Sequence, residues 1–175
     1  MIFYIEHPSP VGSLLLAATA EGICGIYFEE HKHFKGKDGW QRASTQSAAW
    51  NHLQATAQQL DEYFAGQRTV FDVRLDMTGT AFQRSVWDEL TAIPFGASVS
   101  YAQHAQRLGN PKALRAVGSA IGKNPVSIIV PCHRVIGTSG AVTGYAGGVQ
   151  RKRFLLALEG CLLYTSPSPR DQRGS

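Results

Sequence analysis

At Asp76–Thr80 the hydrophobic periodicity of the chain changes, and that change divides it. Before this point apolar residues come in short runs, Ile2 and Tyr4, Leu14 to Ala18 and Ile23 to Phe28, broken by Pro8, Pro10, Gly12 and the Glu21-Gly22 turn. Such runs between turn residues predict a small antiparallel meander. From Ser44 to Phe64, Trp50, Leu53, Ala57, Leu60 and Phe64 recur at helical spacing and Gly66 follows as a stop, so one helix covers a face of the meander. Beyond Thr80 the pattern becomes a succession of short helices. Thr80 or a neighbour caps the first, which carries Phe82, Val86, Leu90 and Ile93 and is ended by Pro94 and Gly96. The reading is an α+β chain with an N-terminal α/β domain over 1–78 and a mostly helical domain over 79–160. A length of 175 residues with 43% hydrophobic content suits one or two small modules and excludes a large multidomain enzyme.

The second half contains helix-turn-helix grammar. A segment from Tyr101 to Leu108 is followed by Gly109-Asn110-Pro111, where Gly suits a helix end, Asn the next cap and Pro the first helical position. The next helix, about Pro111 to Gly122, should bury Leu114, Val117 and Ile121, leaving Arg115, Gly118, Ser119 and Gly122 on another face. Each interior Gly costs about 1 kcal/mol relative to Ala, so two on one face imply close approach to the backbone, either by a nucleic acid or by another helix. Arg115 on that face, with Lys112, Lys123 and Arg107 at the ends of the unit, favours nucleic acid. The net charge of +4 and a pI of about 9.1 agree with a polyanionic partner without identifying one.

Other features exclude function classes. No apolar run approaches the roughly 20 residues of a membrane helix, and the N-terminus has no signal-peptide pattern, which makes a cytosolic location the expectation. Three cysteines without metal or redox-pair spacing argue against a disulfide framework. His31 and His33 alternate like metal ligands but have no further ligand nearby, so the segment His31 to Gly39 reads as a solvated loop. Cys24, in a strand, reads as buried and without a role.

The strongest chemical signal is the run Asn124 to Ile136, in which an apolar stretch delivers Cys132 directly after Pro131. A thiolate is the reactive form of cysteine, and His133 and Arg134 are both candidates to stabilise it. Adjacent residues of an extended chain point to opposite sides, however, so spacing alone does not put the His133 ring on the sulfur, and an inert buried cysteine remains an alternative.

The stretch from Thr80 to Gly160 resembles the O6-alkylguanine-DNA alkyltransferases through Pro131-Cys132-His133-Arg134-Val135, Gly109-Asn110-Pro111, Arg115-Ala116-Val117-Gly118 and Gly144-Tyr145-Ala146-Gly147-Gly148. Ser9-Pro10-Val11-Gly12 and Leu60 to Gly66 extend the resemblance more loosely into the first domain. It implies an RNase H-like N-terminal domain and a winged helix-turn-helix-like domain carrying the acceptor cysteine. It further implies that Cys132 attacks the O6-bound alkyl carbon, that His133 takes the thiol proton through a water with Glu159 orienting it, and that Asn124 orders the turn before the active-site strand. Tyr101 would hydrogen-bond the departing guanine. Arg115 would fill the gap left by a flipped nucleotide, with Ala116, Ser119, Lys112, Lys123 and Arg134 as further DNA contacts. Tyr145, Ala146, Gly147, Val135 and Ile121 would form the alkyl pocket.

Ala146 stands where some relatives have Ser, and Ser127 replaces a second proline of some members. The ligand set of the family's metal-binding members is not found, so no metal is expected. No Gly-rich nucleotide loop follows a strand, so no cofactor or soluble methyl donor is expected either. The expected partner is double-stranded DNA containing O6-alkylguanine, with O4-alkylthymine as a second candidate, bound by a cytoplasmic monomer. The tail 161–175 breaks sharply in composition and reads as a non-native, disordered end. A non-catalytic sensor of alkylated DNA and a Cys-His enzyme acting on a small thiol substrate remain as alternative readings.

Overall fold

The computed structural model describes residues 1–161, so of the tail expected to be non-native only Cys161 is described and the rest lies outside the described residues. Three strands, β1 (Phe3–His7), β2 (Leu14–Ala18) and β3 (Ile23–Tyr27), form the expected antiparallel meander, with Ile5 opposite Leu16 and Leu16 opposite Ile26. A fourth strand, β4 (Gln41–Arg42), corrects the purely antiparallel expectation. It runs parallel to β1 at the edge, giving the order β3-β2-β1-β4, where Gln41 N–H donates to Ile2 O and Ala43 N–H to Tyr4 O. Helix α1 (Trp50–Phe64) packs Leu53, Ala57, Leu60 and Tyr63 towards the sheet. It starts later than the periodicity predicts, because Ser44 and Ser47 form a side-chain-closed turn: Ser47 Oγ accepts from Ser44 N–H at 2.8 Å.

The second half is helical. Helix α2 (Ala81–Leu90) opens on a capping box in which Thr80 and Gln83 satisfy each other's backbone N–H groups, and it ends before Ile93 in tight turns. Ser100 and Gln103 repeat the device at the start of α3 (Tyr101–Arg107), just after the two-residue strand β5 (Val99–Ser100). Gly109, at φ +75°, ends α3 as expected. Asn110 and Pro111 do not start the next helix, however. They lie in a turn closed by Ala113 N–H on Asn110 O, and α4 (Leu114–Gly122) begins without a side-chain cap. With its start shifted, α4 buries Val117, Ala120 and Ile121, while Leu114, expected in the core, is exposed. A 3-10 turn at Cys132–Arg134, strand β6 (Val135–Ile136) parallel to β5, and α5 (Val149–Leu158) complete the described chain.

One hydrophobic core runs through both halves. The free edge of β3 is covered by segments that follow it in sequence: Ile23 exchanges bonds with Arg74 and Asp76, and Ile26 with Pro125 and Ser127. The chain leading to Cys132 is thereby fixed to the N-terminal sheet. No described helix is long and apolar enough to cross a membrane.

Candidate active site

The apolar run before Cys132 is buried at Val126, Ile128 and Val130, but it is not the extended strand expected. Val130 N–H closes a turn on Val126 O at 3.0 Å, Ile128 takes φ +71°, and Cys132 N–H bonds Val130 O at 2.8 Å. A β-branched residue in the left-handed region stores about 1–3 kcal/mol of strain, so something must hold this turn. Asn124 does. Its Oδ1 accepts from Val126 N–H at 3.0 Å, and its Nδ2 donates to Val130 O at 2.8 Å and lies 3.2 Å from Cys132 Sγ. One buried amide both shapes the turn and aims an N–H at the sulfur.

Cys132 is 6% exposed. Burial pushes its thiol up from the ordinary range, while the Asn124 amide and the charge of Lys152 pull it down without cancelling the rise. The resting group is therefore a thiol that needs a base. Beside it in sequence, His133 is fully buried, and its Nε2 lies 2.8 Å from Glu159 Oε2. Burial outweighs the carboxylate and depresses the His133 pKa, so the ring is neutral near pH 7. Glu159 as an acceptor puts the ring proton on Nε2, leaving Nδ1, which has no partner among the described residues, as a proton acceptor.

Glu159 is the hub. Burial would raise its pKa, but hydrogen bonds from His133, Arg134 and Tyr63 bring it down to about 2. Tyr63 Oη donates at 2.5 Å, and Arg134 donates Nε at 2.8 Å and Nη2 at 3.1 Å. Arg134 is thus corrected from DNA contact to buried ion-pair partner, its remaining edge donating to Ile93 O at 2.6 Å. With three of its N–H groups committed to Glu159 and Ile93 O and only 6% of its surface exposed, the Arg134 guanidinium is turned away from solvent and from any phosphate bound there.

A cavity of about 230 Å³ adjoins the sulfur. Of the residues expected here, it brings together Cys132, Asn124, Tyr101, Ser119, Ile121, Tyr145 and Ala146. The buried Tyr145 hydroxyl makes no well-formed hydrogen bond among the described residues. Two expected pocket residues lie elsewhere. Val135 is fully buried in β6 opposite Val99, and Gly147 sits against the Phe28 ring, where a Cβ would overlap it. Gly118 and Gly122 also line the cavity, and a Cβ on either would meet nothing within 4 Å among the described residues. That excludes tight helix packing as the reason for these glycines. Arg115, Ala116, Ser119, Lys112 and Lys123 are all exposed on or beside the same helix.

Two buried residues escaped sequence reasoning. Tyr63 gave no signal beyond its helical neighbours. Lys152, fully buried, donates to Thr143 O at 2.7 Å and Gly144 O at 3.3 Å, and burial lowers its pKa to about 8. Its spacing of three and four from Leu155 and Leu156 places it on the buried stripe of α5, a signal masked by flanking Arg151 and Arg153.

Comparison with known proteins agrees with this geometry. Residues 2–77 match the 6-O-methylguanine DNA methyltransferase, ribonuclease-like domain, and residues 81–161 match the 6-O-methylguanine DNA methyltransferase, DNA binding domain. The methylated-DNA--protein-cysteine methyltransferase of Methanosarcina acetivorans is 44% identical over 160 residues, covering 91% of this chain and 99% of that protein. The protein of the same name from Mycobacterium tuberculosis is 45% identical over 159 residues, covering 91% and 93%. The crystal structure of Mycobacterium tuberculosis O6-methylguanine methyltransferase superposes with a TM-score of 0.82 at 44% identity, covering 91% of this chain and 93% of that one. The Mycobacterium tuberculosis OGT in complex with DNA gives 0.80 at 43% identity, covering 91% and 92%. The chain belongs to the 6-O-methylguanine DNA methyltransferase family.

Proposed function

We propose that this chain repairs DNA by transferring the alkyl group of O6-alkylguanine irreversibly to Cys132, one group per protein molecule. The observation that carries the reading is a single cavity lined both by Cys132, with the Asn124 amide on its sulfur, and by the open glycine face of α4. A base in a duplex keeps its O6 inside the stack, so the lesion must be extruded at a cost of a few kcal/mol to reach a cavity of this size. Arg115 fills the gap left behind. Lys112 and Lys123 meet phosphates, and Ala116 and Ser119 present little bulk to the groove.

His133 Nδ1 takes the Cys132 proton through a water, and Glu159 stabilises the imidazolium formed. The thiolate attacks the alkyl carbon in line; the S–C bond forms as the C–O6 bond breaks, and the electron pair leaves on guanine. Tyr101, whose pKa burial and the nearby thiolate raise, stays protonated and donates a hydrogen bond to the leaving base. Tyr145 and Ala146 wall the pocket. The product thioether has no nucleophile to cleave it, which makes the reaction stoichiometric. The free cysteines suit a reducing cytoplasm, and one chain supplies every group named, so a monomer suffices.

Intact mass after incubation with an oligonucleotide carrying one O6-methylguanine tests the proposal. One added methyl is expected, saturating at one per protein, mapping to the Cys132 peptide and absent from Cys132→Ala. Lesion binding without a mass shift would make the chain a sensor instead.

A further inference from the structure

Beside the alkyl pocket lies a larger cleft of about 620 Å³ between the loop after β3 and the C-terminal end of α4. The two share Lys32, His33, Gly122 and Asn124, so one continues into the other. Lys32, Lys35 and Lys123 line the cleft, with no acidic residue among its walls. None of these three has a carboxylate within 4 Å among the described residues. An aromatic wall completes it: Phe34 packs at 4.6 Å from Tyr27 and 6.0 Å from Trp40, measured between ring centres. The loop is anchored to the pocket wall, since Lys32 N–H donates to Ala146 O at 2.8 Å, and His33 holds a left-handed φ of +66°.

We infer that this cleft is a second nucleic-acid site, contributed largely by the N-terminal half, which takes a stretch of one DNA strand adjoining the extruded nucleotide. Unpaired cations bordering an aromatic wall are the chemistry of single-strand binding, where lysines follow phosphates and bases stack on rings. Charge complementarity selects a polyanion. Continuity with the alkyl pocket selects the strand that carries the lesion, so the inference rests on the proposed function for that choice alone.

Binding of an unmodified single-stranded oligonucleotide tests the cleft independently of any alkyl transfer. Lys35 lines the cleft but not the alkyl pocket. Lys35→Glu should weaken binding about tenfold at low salt and flatten the slope of log K against log salt by roughly 0.7 or more. Lys35→Arg should restore both. The thermal midpoint and the end-point of one methyl per chain at saturating lesion oligonucleotide should stay at wild-type values. A 5-iodouracil oligonucleotide should photocrosslink within 27–40, on Phe34 or Trp40. An unchanged salt slope with crosslinks confined to α3 and α4 would overturn the cleft. Absence of methylation in the wild-type protein would instead overturn the alkyltransferase reading and leave the binding result standing.

Discussion

Glu159 receives four hydrogen bonds on two oxygens, from Tyr63, His133 and twice from Arg134. This satisfies a buried charge that would otherwise be costly, and it ties acid stability to the same group that orients the proton acceptor. The folded pKa of about 2 lies below the ordinary 4.5, so the stabilisation is complete above 4.5 and is lost as pH falls towards 2. A shift of that size corresponds to roughly 3 kcal/mol. Glu159→Gln keeps the shape but leaves the Arg134 cation buried without its counter-charge, which should cost about 3–5 kcal/mol in denaturant unfolding. Its unfolding free energy should then change less between pH 4.5 and 2 than that of the parent. Methyl transfer at pH 7 should fall about a hundredfold, because His133 loses the carboxylate that stabilises its charged form. A wild-type transfer rate in a folded Glu159→Gln protein would remove the Glu159 carboxylate from the mechanism.

Helix α4 is built as a surface to be approached. Its buried side, Val117, Ala120 and Ile121, locks it to α2 and α3, and Trp87 Nε1 donates to Ala120 O at 2.8 Å. On the other side Gly118 and Gly122 leave backbone bare. A Cβ at Gly118 meets nothing within 4 Å among the described residues, and Gly118→Leu replaces the poorest ordinary helix former, so thermal unfolding should show a midpoint unchanged or raised, the gain being up to about 1 kcal/mol. Repair of duplex DNA should nevertheless slow at least tenfold. Slower repair with a lowered midpoint would mean that the glycine serves the fold instead. The helix starts at Ala81 and Tyr101 were legible because Thr80 with Gln83 and Ser100 with Gln103 are complete local capping signals. The start of α4 was not, because Asn110 and Pro111 fit a turn as well as a cap, and only packing selects between them. For the same reason β4 was invisible: two residues carry no periodicity, and their pairing with β1 is set by the loop that precedes them.

At the scale of the molecule, the site depends on contacts that no local pattern encodes. Cys132, His133, Asn124 and Glu159 were named together only through the family resemblance, since Asn124 and Glu159 lie outside its motifs. The burial of Arg134 depends on a carboxylate 25 positions away and that of Tyr63 on the same group 96 positions away, and residue type alone places a guanidinium at the surface. Arg151 makes the cross-chain dependence testable. Its Nε donates to Val11 O at 3.0 Å, its Nη1 to Glu29 O at 2.9 Å and Gly147 O at 3.0 Å, and its guanidinium lies 5.4 Å from the Phe28 ring centre. One side chain therefore joins the β1–β2 turn, the loop after β3 and, at Gly147, the Gly-rich segment that follows the pocket residues Tyr145 and Ala146. Arg151→Ala should cost about 2 kcal/mol for the carbonyls left without donors. Amide exchange should quicken together at Lys32, which bonds Ala146 O, and at Gly148, which bonds Tyr145 O, while α1 stays protected. Transfer to Cys132 should slow several-fold, and Arg151→Lys should not restore it, since one ammonium lacks the planar fork that reaches three carbonyls. Faster exchange at Lys32 with Gly148 unchanged would show that the pocket wall rests on α5 alone and that the N-terminal half contributes no rigidity to it.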